Sequence, residues 1–135
     1  MAQSKIDQLV LQLENHLECW KQFNYYLNLA RGKQYTAEDE SQFLEVKSVL
    51  AQELETILFA IECAKPTKEE IHNLLGSAPS LRSLGEINEA SWRAIENQWH
   101  QIFITWQSNL GQIKVQQQQQ RAQPKSFWSS LFGGN

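Results

Sequence analysis

A chain of 135 residues, 41% hydrophobic and 20% charged with a formal charge of −3, has single-domain size and enough length to bury a core. The mild acidity gives no general attraction to nucleic acid, and six Gly and three Pro are too few for a turn-rich all-β fold. No run approaches the ~18 apolar residues of a membrane span, and "MAQSKIDQLVLQLENH" carries acids where a signal peptide carries an apolar stretch, so the expected location is cytoplasmic.

The first predicted element is a helix over 4–30. Ile6, Leu13, Trp20 and Leu27 recur at a spacing of seven, and Val10, Leu17 and Phe23 fill the same face. Ser4 is placed to cap it, with Asp7 as the capping-box acid, and Gly32 is expected to take the left-handed position that ends it.

A second helix is predicted over 37–64. Thr36 and Asp39 form a short capping box, and Glu38, Asp39 and Glu40 crowd the first turn, where the helix dipole favours anions. Its stripe is Phe43, Val46, Leu50, Leu54, Ile57 and Ile61, with Leu58 beside it, and Pro66 disfavours helix just beyond. A short helix over 68–75 follows, opened by Thr67 and Glu70, with Ile71, Leu74 and Leu75 apolar and Gly76 closing it. In the connector "SAPSLRSLGE", Leu81 and Leu84 are expected to tuck under as a single helical turn.

The last helix is predicted over 88–118. Asn88 is its N-cap, and Ile87 and Trp92 hold the two positions of a hydrophobic staple. Trp92, Trp99, Trp106 and Ile113 recur every seven residues, joined by Ile95, Ile102, Phe103 and Leu110. Together these elements predict an all-α fold, an antiparallel helical bundle of three long helices plus one short helix over residues 1–118. Residues 119–135, with the run "QQQQQRAQ", read as a linker and an extended amphipathic C-terminal tail.

Chemistry-bearing constellations are sparse. Cys19 and Cys63 make no disulfide framework and read as buried free thiols; Glu18 and Glu62 precede them, which opposes thiolate formation. His16, Cys19, Glu69, His72 and His100 can be assembled into a metal set on paper, and Glu96 and His100 can meet on one helix face. No ligand spacing requires either, so no metal and no cofactor are expected. No glycine-rich phosphate loop or nucleophile elbow is present, and the expectation is a protein that is not an enzyme. The tryptophan stripe reads as core rather than as a ligand pocket or a platform for nucleobases, since only Arg93 and His100 interleave it.

The tail is the strongest functional lead. From Glu38 to Glu62 there are seven acids and one base, whereas after Glu96 there is no acid, only Lys114, Arg121 and Lys125. Beyond Pro124, "SFWSSLFGGN" sets Phe127, Trp128, Leu131 and Phe132 on one helical face. Three readings stand. The tail packs back on its own bundle, docks on another protein or a second copy, or rests weakly on a membrane surface with Arg121 and Lys125 toward lipid. The leading expectation is a non-enzymatic protein–protein interaction module, an adaptor or assembly subunit. A peripheral membrane protein and a metal- or ligand-binding bundle are the alternatives.

Overall fold

The computed structural model describes residues 4–122. They form five helices and, among them, no strand: α1 (Lys5–Arg31), α2 (Ala37–Ala60), α3 (Lys68–Ser77), α4 (Leu81–Leu84) and α5 (Glu89–Ala122). The chain is all-α, as the spacing of its apolar residues requires.

Each helix starts where a short polar side chain can satisfy a free backbone amide. Ser4 Oγ accepts from Asp7 N, Thr67 Oγ1 from Glu70 N, Ser80 Oγ from Ser83 N and Asn88 Oδ1 from Ser91 N, at 2.8–3.1 Å. Thr36 and Asp39 make the full reciprocal box: Asp39 N donates to Thr36 Oγ1 at 3.1 Å and Thr36 N to Asp39 Oδ2 at 2.9 Å.

Helix ends depart from expectation more than starts do. Gly32 is right-handed (φ −82°), because its amide still donates to Asn28 O. The left-handed position falls one residue later, on Lys33 (φ 54°), whose reversal lets Gln34 N reach Leu29 O at 2.9 Å. Gly76 lies inside α3, which runs on to Ser77. α2 stops at Ala60 rather than 64. Ile61 turns extended (φ −110°, ψ 118°), which leads the chain toward α3 while Ile61 stays buried. α5 continues four residues past 118 to Ala122, held by polar contacts with α1 described below.

α1 is the axial element. It runs antiparallel to α2, where Tyr26 donates to Gln42 Oε1 at 2.6 Å near one end and His16 meets Glu53 nearer the other. It also runs antiparallel to α5, where Arg31 pairs with Glu89 and Glu96, and Lys114 with Glu14. α2 and α5 make no close backbone approach to each other among the described residues. α3 bridges them, packing on both and burying Ile71, Leu74 and Leu75. The three long stripes therefore do not simply meet one another; α1, α2, α3 and α5 form a ring around the core. Asn109 fixes the ring's last joint by donating to Lys65 O at 2.9 Å.

The core is built from the stripes read in the sequence. Leu13, Trp20, Phe23, Phe43, Leu50, Leu54, Ile57, Ile71, Leu74 and Trp106 are fully enclosed, and Trp92, Ile95, Ile102 and Ile113 are buried beside them. Leu81 and Leu84 of α4 are fully enclosed too, and α4 packs on α1. Glu40 locks α4 in place. Its carboxylate accepts from Leu81 N at 2.8 Å and Arg82 N at 3.3 Å, so an acid of α2's first turn also caps a helix 41 residues away.

Candidate functional site

The most unusual group in the interior is His16, a fully enclosed imidazole in the apolar stripe of α1. Trp20, one turn on, donates its indole Nε1–H to His16 Nε2 at 3.1 Å. An indole nitrogen can only donate, so Nε2 is an unprotonated acceptor and the neutral ring carries its hydrogen on Nδ1. Nδ1 then donates to Glu53 Oε1 of α2 at 2.9 Å. Burial holds the imidazole below its ordinary value, against the opposing pull of Glu53. Trp106 of α5 stands edge-on to the same ring at 5.3 Å. Its own Nε1 is buried and has no hydrogen-bond partner among the described residues. Three helices thus meet at one polar knot whose histidine has both nitrogens engaged.

The other residues assembled on paper do not converge on it. His72 and His100 are exposed, Glu69 lies on the open face of α3, and Glu96 pairs with Arg31 rather than with His100. Among the described residues, no group of three or more His, Cys, Asp or Glu side chains is placed to hold a metal ion. Cys19 and Cys63 are free and half-buried rather than buried. Burial pushes both thiols up, and at Cys19 the charges of Glu53 and Glu18 add to it. Of the tryptophan stripe, Trp92 and Trp106 are core, while Trp99 is half-buried and donates to Trp20 O at 2.9 Å.

The predicted partner-binding set is Phe127, Trp128, Leu131, Phe132, Arg121 and Lys125. Only Arg121 lies within the described residues; the other five lie outside them. Arg121 belongs to the last turn of α5 and pairs with Asp7 at 3.3 Å. Gln117, a turn earlier, donates to the same Asp7 oxygen at 2.6 Å. The Gln117 hydrogen bond, with smaller help from Ser4 and Arg121, holds the Asp7 carboxyl below its usual value. An acid read as a cap for α1 therefore also anchors the end of α5.

Two of the grooves that flank α1 run over several aliphatic or aromatic side chains. One, of about 350 Å³, runs between α1 and α5 over Leu17, Phe103 and Leu110, rimmed by the pairs Glu14–Lys114 and Glu18–Lys21, each at 3.1 Å. The other, of about 560 Å³, runs between α1 and α2 past Cys19, Tyr25, Tyr26, Val46 and Val49. Several large apolar side chains face water as well, most completely Phe59 at 92% exposure. No helix among the described residues is long and apolar enough to cross a membrane.

No protein-family model matches the chain, and comparison with curated proteins and with solved structures finds no significant match. Fold and site define the class: an all-α bundle with an engaged polar knot inside and shallow grooves outside.

Proposed function

We propose that this chain is a small non-enzymatic interaction module of the cytoplasm, in which a rigid helical bundle presents an aromatic C-terminal segment to a partner protein. The observation that carries this reading is the anchoring of α5. Gln117 and Arg121 tie its final turns to Asp7 of α1, so residues that follow Ala122 leave from a fixed point on the bundle. A short amphipathic segment offered from a rigid exit suits docking of helical anchors in an apolar groove. Arg121 is already paired with Asp7, which leaves Lys125 as the main cation for lipid and weakens the membrane-surface alternative. The engagement of both His16 nitrogens likewise weakens the metal- or ligand-binding alternative.

The test is affinity purification from the native cell with the full chain and with the Phe127→Ser/Trp128→Ser double variant. Loss of the captured partner with an unchanged melting temperature supports docking by the tail. Equal capture by both chains overturns it. Salt-sensitive sedimentation with anionic vesicles, lost in the variant, would favour the lipid alternative instead.

A further inference from the structure

We propose that the groove between α1 and α2 is a docking surface for a basic amphipathic helix of a partner protein. It is a second surface, on the bundle itself, and does not depend on the C-terminal segment.

Along α2, Glu38, Gln42, Glu45, Val49 and Glu53 recur at i, i+4, i+7, i+11 and i+15, so they follow one face. Along α1, Cys19, Gln22 and Tyr26 recur at i, i+3 and i+7 and line the same trough. Its floor is firm. Val46 and Tyr26 are buried, Tyr26 stands roughly perpendicular to Phe43 at 6.2 Å, and Phe43 is stacked on Phe23 in the core at 5.3 Å. Tyr25, 57% exposed, meets Tyr26 at 5.2 Å and leaves much of its ring open to the trough.

Charge decides the occupant. Among the described residues, no Lys or Arg lines this groove, and Glu38, Asp39 and Glu45 make no ion pair. The hydrogen bonds that reach these acids come from neutral groups. Gln42 donates to Glu38 at 3.4 Å, Thr36 N to Asp39 at 2.9 Å and neutral His16 to Glu53 at 2.9 Å. The field is felt at both ends of the trough. Burial, then Glu53 and Glu18, pushes the Cys19 thiol up; burial, then Asp39, Tyr25 and Glu38, pushes the Tyr26 phenol up. The groove between α1 and α5 differs, because Lys114 and Lys21 pair with the acids at its rim.

From Glu38 to Glu53 the carboxylates spread over about 22 Å of helix, around an apolar and aromatic floor. A helix of about four turns spans that length. With Leu- or Phe-type anchors at i, i+3 or i+4 and i+7 it fills the floor, and with Lys or Arg on its flanks it answers the acids. A cation over the open Tyr25 ring adds to the attraction. A metal ion does not fit, since no group of three or more His, Cys, Asp or Glu side chains converges among the described residues. Nucleic acid and anionic lipid are repelled by the same carboxylates.

The probe is a synthetic helical peptide of about sixteen residues, Leu on one face and Lys on the other, titrated into the full ¹⁵N-labelled chain. The expected result is saturable amide shifts confined to residues 19–26 and 38–53. A peptide with Glu in place of every Lys should not bind. One of the original composition with no apolar face should bind about tenfold more weakly. Equal binding of either control, shifts centred on residues 103–114, or no shifts at all overturns the proposal. Shifts in the expected residues on concentrating the chain without peptide assign the groove to a second copy and overturn it as well. Glu38→Gln/Glu45→Gln removes two exposed, unpaired charges and should weaken the peptide about fivefold at an unchanged melting temperature. Added salt should weaken binding to the wild type more than to this variant. Val49→Lys places a cation inside the trough and should abolish binding. Undiminished affinity in either variant sinks the proposal.

Discussion

Trp20 and His16, one turn apart on α1, share a hydrogen bond inside the bundle in which the indole Nε1–H donates to the imidazole Nε2 at 3.1 Å. That bond fixes the tautomer, and the tautomer in turn aims Nδ1–H at Glu53 of α2. A polar chain across two helices therefore depends on a single ring.

His16→Ala would leave the Trp20 donor unpaired in the core and open a cavity between α1, α2 and α5. The expected loss is about 3 kcal/mol, from an orphaned buried donor and lost packing together. At about 3–5 °C per kcal/mol for this size, the melting temperature should fall by ~10 °C. Calorimetry checks it, and a fall of under ~3 °C would mean that the knot is peripheral to stability.

The same ring makes stability depend on pH. Burial keeps the folded pKa of His16 below its ordinary value of 6.5. Between the folded and unfolded values the unfolded chain binds the extra proton, so stability rises with pH. The contribution is fully present above pH 6.5 and is lost progressively as pH falls below it toward the folded value. Urea titrations from neutral to mildly acid pH should show a falling midpoint, and His16→Gln should flatten that slope. A wild-type midpoint that stays level would refute the account.

Trp20 and Trp106 offer a matched pair. Both are fully enclosed, but Trp20 Nε1 has an acceptor and Trp106 Nε1 has none among the described residues. Replacement by Phe removes similar ring volume from each. Trp20→Phe should therefore cost about 1–2 kcal/mol more than Trp106→Phe, the difference being one buried hydrogen bond against one relieved orphan. Equal losses in chemical denaturation would show that packing alone sets the cost.

Glu40→Ala removes the carboxylate that accepts from Leu81 N and Arg82 N. The expected cost is about 1–2 kcal/mol, comparable to loss of a helix cap. Tryptic cleavage after Arg82 should quicken before the global melt shifts. Unchanged cleavage would mean that burial of Leu81 and Leu84 holds α4 without help.

Asp7→Asn should loosen the end of α5 without unfolding the bundle, because Gln117 and Arg121 share that carboxylate. Hydrogen exchange should accelerate over residues 115–122 and stay slow over residues 92–106. Uniform protection along α5 would show that the glutamine-rich turns are stable by propensity alone.

The sequence displayed the helices and where they start. Apolar spacing located the helices, and Ser4, Thr36, Thr67 and Asn88 marked four starts, since a cap is decided within three residues. What it hid is tertiary. Nothing in α3 says that it must bridge α2 and α5. Nothing in the acidic first turn of α2 says that Glu40 serves α4, and the glutamines gave no sign that Gln117 reaches α1. His16 did leave a signal: it stands three residues after Leu13 and four before Trp20, in the middle of an apolar stripe. A polar residue there with a tryptophan one turn away points to a buried partnered imidazole. The terminal glycines misled because a helix ends where its carbonyls find donors, and at Arg31 that placed the reversal on Lys33.

The axial position of α1 also governs the order in which the fold can assemble. Of the described helices it is the first to be synthesised, yet its partners on opposite sides are α2 and α5, and its ties to α5 join residues as far apart as Asp7 and Gln117. During translation it pairs early with α2 and keeps its other face bare until the last helix emerges. Closure of the ring therefore waits on long-range loop formation, which slows folding relative to a bundle of sequential neighbours. An apolar face left bare over that interval is where a nascent chain would meet a chaperone or aggregate.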